Sequence, residues 1–348
     1  MQIARATIDG MSSAAVPTPV LRLDRSIGRT FGLCALGFVV LTAAVAGFLP
    51  IEFSIVSVFL CAGPHNWVEA RYFLSRLPAR WGRLQAYFLF GFAGVFTLTA
   101  CFTAAPHFLE SLAAGTEIHL LTHATLDTLL ALWIATLVHW RAGQNPRRDW
   151  GWIWPAAFLV IALAWRWPIQ WMLALVYVHP LVALWILDRE IRRTRPEYRR
   201  VYHLCLLAVP ACLALLWWRL AAAPDLPGED VLSMRITFHA GSDYLTSVSS
   251  HCLVATHTFL EAVHYGVWLL AIPWLDRRTS LWSVPNMPLG RRSLTWTRAL
   301  QAFLLVSGAV VVILWICFYA NYPITRDVYF TLAMVHVLAE VPFLLRAL

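Results

Sequence analysis

Long apolar runs recur along this chain, broken by short polar connections that carry most of the arginines. About 20 apolar residues in a helix, rising about 1.5 Å each, cross the hydrocarbon core of a bilayer. The runs do not alternate apolar with polar, so a transmembrane barrel is excluded. The pattern predicts an all-α polytopic membrane bundle of about ten transmembrane helices, near 31–49, 51–72, 84–105, 117–140, 152–166, 168–188, 201–218, 246–274, 298–320 and 327–346. Pro168 must end a helix, so 152–166 and 168–188 form either two crossings or one kinked span with a re-entrant piece. Residues 1–30, with Arg22, Arg25 and Arg29, read as an uncleaved cytoplasmic segment. Residues 31–348 read as a single membrane domain. Within it, 219–245 is the longest non-cytoplasmic loop, rich in Pro, Gly and acids and able to carry a short surface helix.

Charge orients the bundle. The net charge is +8 and every one of the 27 basic residues is arginine. The absence of lysine fits a GC-rich bacterial genome, hence a bacterial cytoplasmic membrane. Arginine-rich connections follow spans two, four, six and eight, at Arg71–Arg83, Arg141–Arg148, Arg189–Arg200 and Arg277–Arg292, whereas 106–118 has none. All the rich connections share one side if there are ten spans with both termini cytoplasmic. The expected partner of this charge is anionic lipid; no single basic face suggests nucleic acid. Seven cysteines lie in or beside apolar runs without a CxxC pair, and read as small buried hydrophobes.

Against this apolar background, four predicted spans each hold a histidine followed four residues later by an acid. They are His65–Glu69 (HNWVE), His123–Asp127 (HATLD), His257–Glu261 (HTFLE) and His336–Glu340 (HVLAE). Residues four apart share a helix face. The overall numbers of histidine and acid would give ~0.65 such pairs by chance. Ionisable groups facing lipid cost several kcal/mol, so they turn into a bundle. One pair alone can be structural, imidazole and acid satisfying each other. Four on four helices point to metal, with imidazoles as ligands and carboxylates as ligands or orienting groups.

Span eight continues to His264. Glu261 and His264 form the E-x-x-H spacing by which di-iron bundles place two ligands on one metal. In span four, His119 and His123 add an H-x-x-x-H. In span two, Gly63-Pro64 open the helix beside His65. The predicted metal set is thus His65, His123, His257, Glu261, His264 and His336, with Glu69, Asp127, Glu340 and His119 as further ligands or orienting groups. Their depths differ when measured from the span ends, which favours more than one metal or offset spans. His107, His139, His203 and His239 take interfacial readings, and His179, beside Pro180, stays outside the set.

The motifs PHNWVE, HATLD and HVLAE resemble those of the membrane β-carotene 15,15′-dioxygenase family (Brp/Blh type). That resemblance implies a helical membrane protein holding non-haem iron on histidines of several spans and cleaving an apolar polyene with oxygen. It would match His65 with Glu69, His123 with Asp127 and His336 with Glu340. The chain departs from the family where HTFLEAVH replaces a paired H-x-x-x-H and where bulky Asn66-Trp67 follow the first histidine. The sequence therefore predicts a membrane-embedded iron oxidoreductase, mono- or dinuclear, acting on a lipophilic substrate. The alternatives are a proton-coupled transporter working through His–carboxylate relays, or a scaffold whose polar pairs hold helices together.

Overall fold

The computed structural model describes residues 20–112, 115–144, 150–228, 230–276 and 283–347, and these are helical almost throughout. Residues 1–19 and the Arg277–Arg278 connection lie outside the described residues. The chain forms α1 (Val20–Phe48), α2 (Pro50–Arg76), α3 (Gln85–Ser111), α4 (Thr116–Gly143), α5 (Ile153–Arg166), α6 (Pro168–Thr194), α7 (Arg199–Leu206), α8 (Ala208–Leu220), α9 (Val231–His239), α10 (Ser250–Gly266), α11 (Ile272–Asp276), α12 (Leu294–Ala320) and α13 (Tyr322–Ala347). A π-helical turn, Val267–Ala271, joins α10 to α11.

Among the described residues, eight helical stretches are long and apolar enough to cross a membrane; α7 with α8 makes one, and α10 through α11 another. The two remaining members of the expected ten are α2 and α5. Helix α2 has the length, 27 residues, but its polar Glu52, His65, Glu69 and Arg71 lower its apolarity. Helix α5 has only 14 residues, about 21 Å, short of a hydrocarbon core of about 30 Å. The chain is an all-helical bundle with the character of a multi-pass membrane protein. Its first helix begins at Val20 rather than near 31.

Local chemistry sets the boundaries. Pro50 and Pro168 sit in the first turns of α2 and α6, where a missing N–H costs nothing. The 219–245 loop does carry a helix, α9, capped by Asp230, whose Oδ1 accepts from the N–H groups of Leu232 (2.8 Å) and Ser233 (2.9 Å). A further histidine–acid spacing, His239 to Asp243, is broken because α9 ends at His239 and Gly241 takes a left-handed φ of 91°.

Helix α10 is the axis of the bundle: 67% of its crossing is buried, against α1, α2, α6 and α8. Helix α13 packs against α2, α3, α4 and α12. Leu, Phe and Ile side chains on the outer faces, such as Leu33, Phe96, Leu305 and Ile316, are exposed, as lipid-facing residues are. Cys34 and Cys317 join them, contrary to the buried reading, while Cys252 is buried.

Candidate metal centre

One buried contact network fixes the helices that matter. The Arg76 guanidinium at the end of α2 reaches Glu190 on α6 (3.1 Å) and lies 3.9 Å from Asp276 on α11. The Arg346 side chain on α13 donates to the Arg76 carbonyl. These four residues mark one level at one end of the bundle. Counting back, His65 lies eleven residues before Arg76, His179 eleven before Glu190, His264 twelve before Asp276 and His336 ten before Arg346. At about 1.5 Å per residue, all four imidazoles therefore stand about 15–18 Å above that level. The expected mismatch in depth is absent for these four, because the histidine of α10 that meets the others is His264 and not His257.

The rings do meet. Centroid separations are 5.2 Å for His65–His264, 5.1 Å for His65–His336, 5.1 Å for His179–His264 and 5.6 Å for His179–His336. Donor atoms of His65, Glu69, His264 and His336 all lie within 4.8 Å of one another. Bonds of about 2.0–2.2 Å to a shared ion hold donors no more than about 4.4 Å apart, so these donors need close by only a few tenths of an ångström. Glu340, one turn from His336, places a carboxylate oxygen 3.8 Å from His179 Nδ1. Glu340 also comes within hydrogen-bonding reach of Glu69. Two carboxylates in contact repel unless a proton or a cation lies between them.

The hydrogen bonds leave room for a ligand. His65 Nδ1 faces the Cys61 carbonyl at 3.1 Å. With the proton there, Nε2 carries the free lone pair. Both nitrogens of His264, with Glu69 Oε2 and Glu340 Oε1, are buried without a hydrogen bond of normal geometry; His264 makes only a weak approach to the Pro180 carbonyl. Each such orphan costs about 1–3 kcal/mol. A cation among these donors would satisfy several of them at once, and the imidazole–carboxylate set fits a transition metal.

Helix irregularities flank the donors. Pro64 precedes His65, Pro180 follows His179, Pro342 follows Glu340 and the π-helical turn begins three residues after His264. Each removes or displaces a backbone bond of the regular helix. Bulky Asn66 and Trp67 are held by partners outside the group: Trp67 Nε1 donates to the Leu304 carbonyl (2.9 Å), and Asn66 hydrogen-bonds Tyr329. Tyr265 covers His65 at 4.6 Å between centroids.

Other members of the expected set go elsewhere. His257 pairs with Glu261 (Nδ1 to Oε2, 3.5 Å) and packs against His239 and Tyr177. Glu261 therefore turns to His257 and does not join His264 through the E-x-x-H spacing. On α4, His119, His123 and Asp127 belong to no cluster of three facing donors among the described residues. His179, left outside the predicted set, joins the cluster. Its signal was the His-Pro pair 179–180, which mirrors Pro-His at 64–65.

Comparison of the chain with family profiles, curated proteins and solved structures finds no match.

Proposed function

We propose that the chain is a membrane-embedded metalloprotein, an iron-dependent oxidoreductase acting on a lipophilic substrate, with His65, Glu69, His264 and His336 as ligands. Carrying the proposal is the convergence of four imidazoles and two carboxylates, from four helices, at one buried level. Imidazole and carboxylate ligands with open positions suit iron(II) and oxygen activation, the chemistry such an ion would supply. His179 and Glu340 would orient the ligands and hold a proton beside them. The geometry favours one metal over two, because His257 and Glu261 form a separate pair.

An apolar cavity of about 230 Å³ supports a lipophilic substrate. It lies between α1, α6, α7 and the segment from α10 to α11, with Val209 of α8 at its wall. In the proposed topology α2 and α5 are the two further crossings, both termini are cytoplasmic and the membrane is the bacterial inner one. A reporter fused at residue 195 should then read as cytoplasmic.

A second reading, a proton-coupled carrier, draws on the Glu69–Glu340 contact, which a shared proton would also satisfy. Metal analysis of protein purified in detergent separates the two. The oxidoreductase reading expects about one iron per chain, the stoichiometry of a mononuclear site. Folded protein free of transition metal, with proton uptake that depends on Glu69, would overturn it in favour of the carrier.

A further inference from the structure

Below the histidines, at the Arg76 level, a cavity of about 630 Å³ opens between the ends of α2, α6 and α13. Its size falls in the roughly 300–1,000 Å³ range of small-ligand sites. Five arginines line it, Arg76, Arg189, Arg192, Arg193 and Arg346, with one acid, Glu190. Arginines at the inner ends of membrane helices are common, and as a rule they are solvated or meet the lipid surface singly. Here they are organised. Buried Glu190 accepts from Tyr72 Oη (2.9 Å), Arg76 Nη2 (3.1 Å) and Arg193 Nη2 (2.7 Å). The Arg76 side chain is only 16% exposed, and its Nε and Nη1 are buried without a hydrogen bond of normal geometry.

Charge accounting leaves an excess. Glu190 and neighbouring Asp276 offset two of the five positive charges. Three helix C-termini meet here, each worth about half a negative charge. Among the residues lining the cavity arginine outnumbers acid five to one, and one of these guanidiniums, Arg76, is partly buried in its wall. Arginine forks match tetrahedral oxyanions bidentately, and basic pockets between membrane helices on the cytoplasmic side hold anionic lipid head groups. We propose that this pocket binds a phosphate group, carried either by an anionic phospholipid or by a soluble phosphate compound. The assignment is independent of whether the histidine cluster holds metal.

The test uses the full chain in uncharged detergent, following thermal unfolding by tryptophan fluorescence. Inorganic phosphate and pyrophosphate are titrated against sodium chloride of matched ionic strength. In parallel, the chain is placed in phosphatidylcholine nanodiscs with and without phosphatidylglycerol. A ligand that binds only the folded state raises the midpoint with concentration. The proposal expects a saturable rise with at least one phosphate probe. A response to the soluble anions identifies a soluble compound; a response confined to phosphatidylglycerol identifies a lipid head group. Arg193→Gln, at the exposed rim, should weaken half-saturation by about tenfold, the loss of one charge-assisted fork. Arg76→Gln should do the same where it folds, and Arg219→Gln, exposed and outside the pocket, should not. No saturable rise with any probe, or equal weakening by Arg193→Gln and Arg219→Gln, would overturn the assignment.

Discussion

Two helices carry the same motif and use it differently. On α2, His65 and Glu69 are each 1% exposed and face three other histidine-bearing helices. On α4, His123 and Asp127 have the same spacing, yet His123 is only half-buried and Asp127 is buried with its Oδ2 unpartnered. The four-residue step only guarantees that two side chains share a helix face. What that face meets is set by packing. Helix α2 lies against α1, α10, α12 and α13, whereas α4 packs mainly on α3 and α5 at the edge of the bundle. A motif becomes a site when several such faces converge at one depth.

The contrast can be broken most directly by removing imidazoles. His65→Ala and His264→Ala are expected to lower metal affinity by about 100-fold or more, at or beyond the upper end of the supporting-residue scale. His123→Ala should leave metal content, read by plasma mass spectrometry, within about twofold of the parent. Comparable losses from all three would erase the difference between the helices.

A finer cut keeps shape and removes charge. Glu69→Gln is expected to weaken metal binding by about 10–100-fold, and Asp127→Asn to leave it unchanged. Competition with a chelator measures both. If Asp127→Asn released the metal as readily as Glu69→Gln, α4 would belong to the centre.

The edge can also be disturbed without touching a donor. A Cβ on Gly94 of α3 would clash with the Trp133 indole of α4. Gly94→Ala should therefore cost about 1–3 kcal/mol through overpacking while metal stoichiometry stays constant. Loss of metal in this variant at a temperature where it remains folded would tie the centre to α3–α4 packing.

The smallest effect concerns the entry to α10. The Ser250 N–H donates to Asp225 Oδ1 (2.7 Å) and holds that exposed carboxyl below its ordinary range. The folded value is the lower one, so this stability is present above the ordinary carboxylate range and is lost as pH falls through the folded value. Asp225→Asn should flatten the acid limb of the unfolding curve slightly and leave metal content at neutral pH untouched. An unaltered acid limb would show that the bond contributes nothing.

Much of the architecture was legible because apolar run length and arginine placement report on one helix at a time. The donors His65, Glu69, His264, His336 and Glu340 were all visible as intramembrane polar residues. Their grouping was not, because spacing cannot say which face of α10 turns inward; the E-x-x-H pattern pointed to Glu261, which lies with His257 instead. His179 escaped because it has no acid four residues on: the acid beside it, Glu340, comes from α13. His123 entered the expected set on a spacing that looks the same whether a helix is central or peripheral. The count of ten spans joined two unlike segments, the polar α2 and the short α5, to eight plainly apolar ones.

The position of α10 bears on how the protein is made. It is the least apolar of the eight candidate crossings and the most buried, and it carries His257, Glu261 and His264, which lipid would tolerate poorly. The helices that enclose it, α1, α2, α6 and α8, are all synthesised earlier. The nascent chain thus builds the receptacle before the segment that needs it emerges from the ribosome. His336 and Glu340 arrive only with α13, the last helix, so the order of translation is also the order in which the donor set is completed. A chain released before α13 would have sheltered His264 yet lack His336 and Glu340, two of the six residues that converge there.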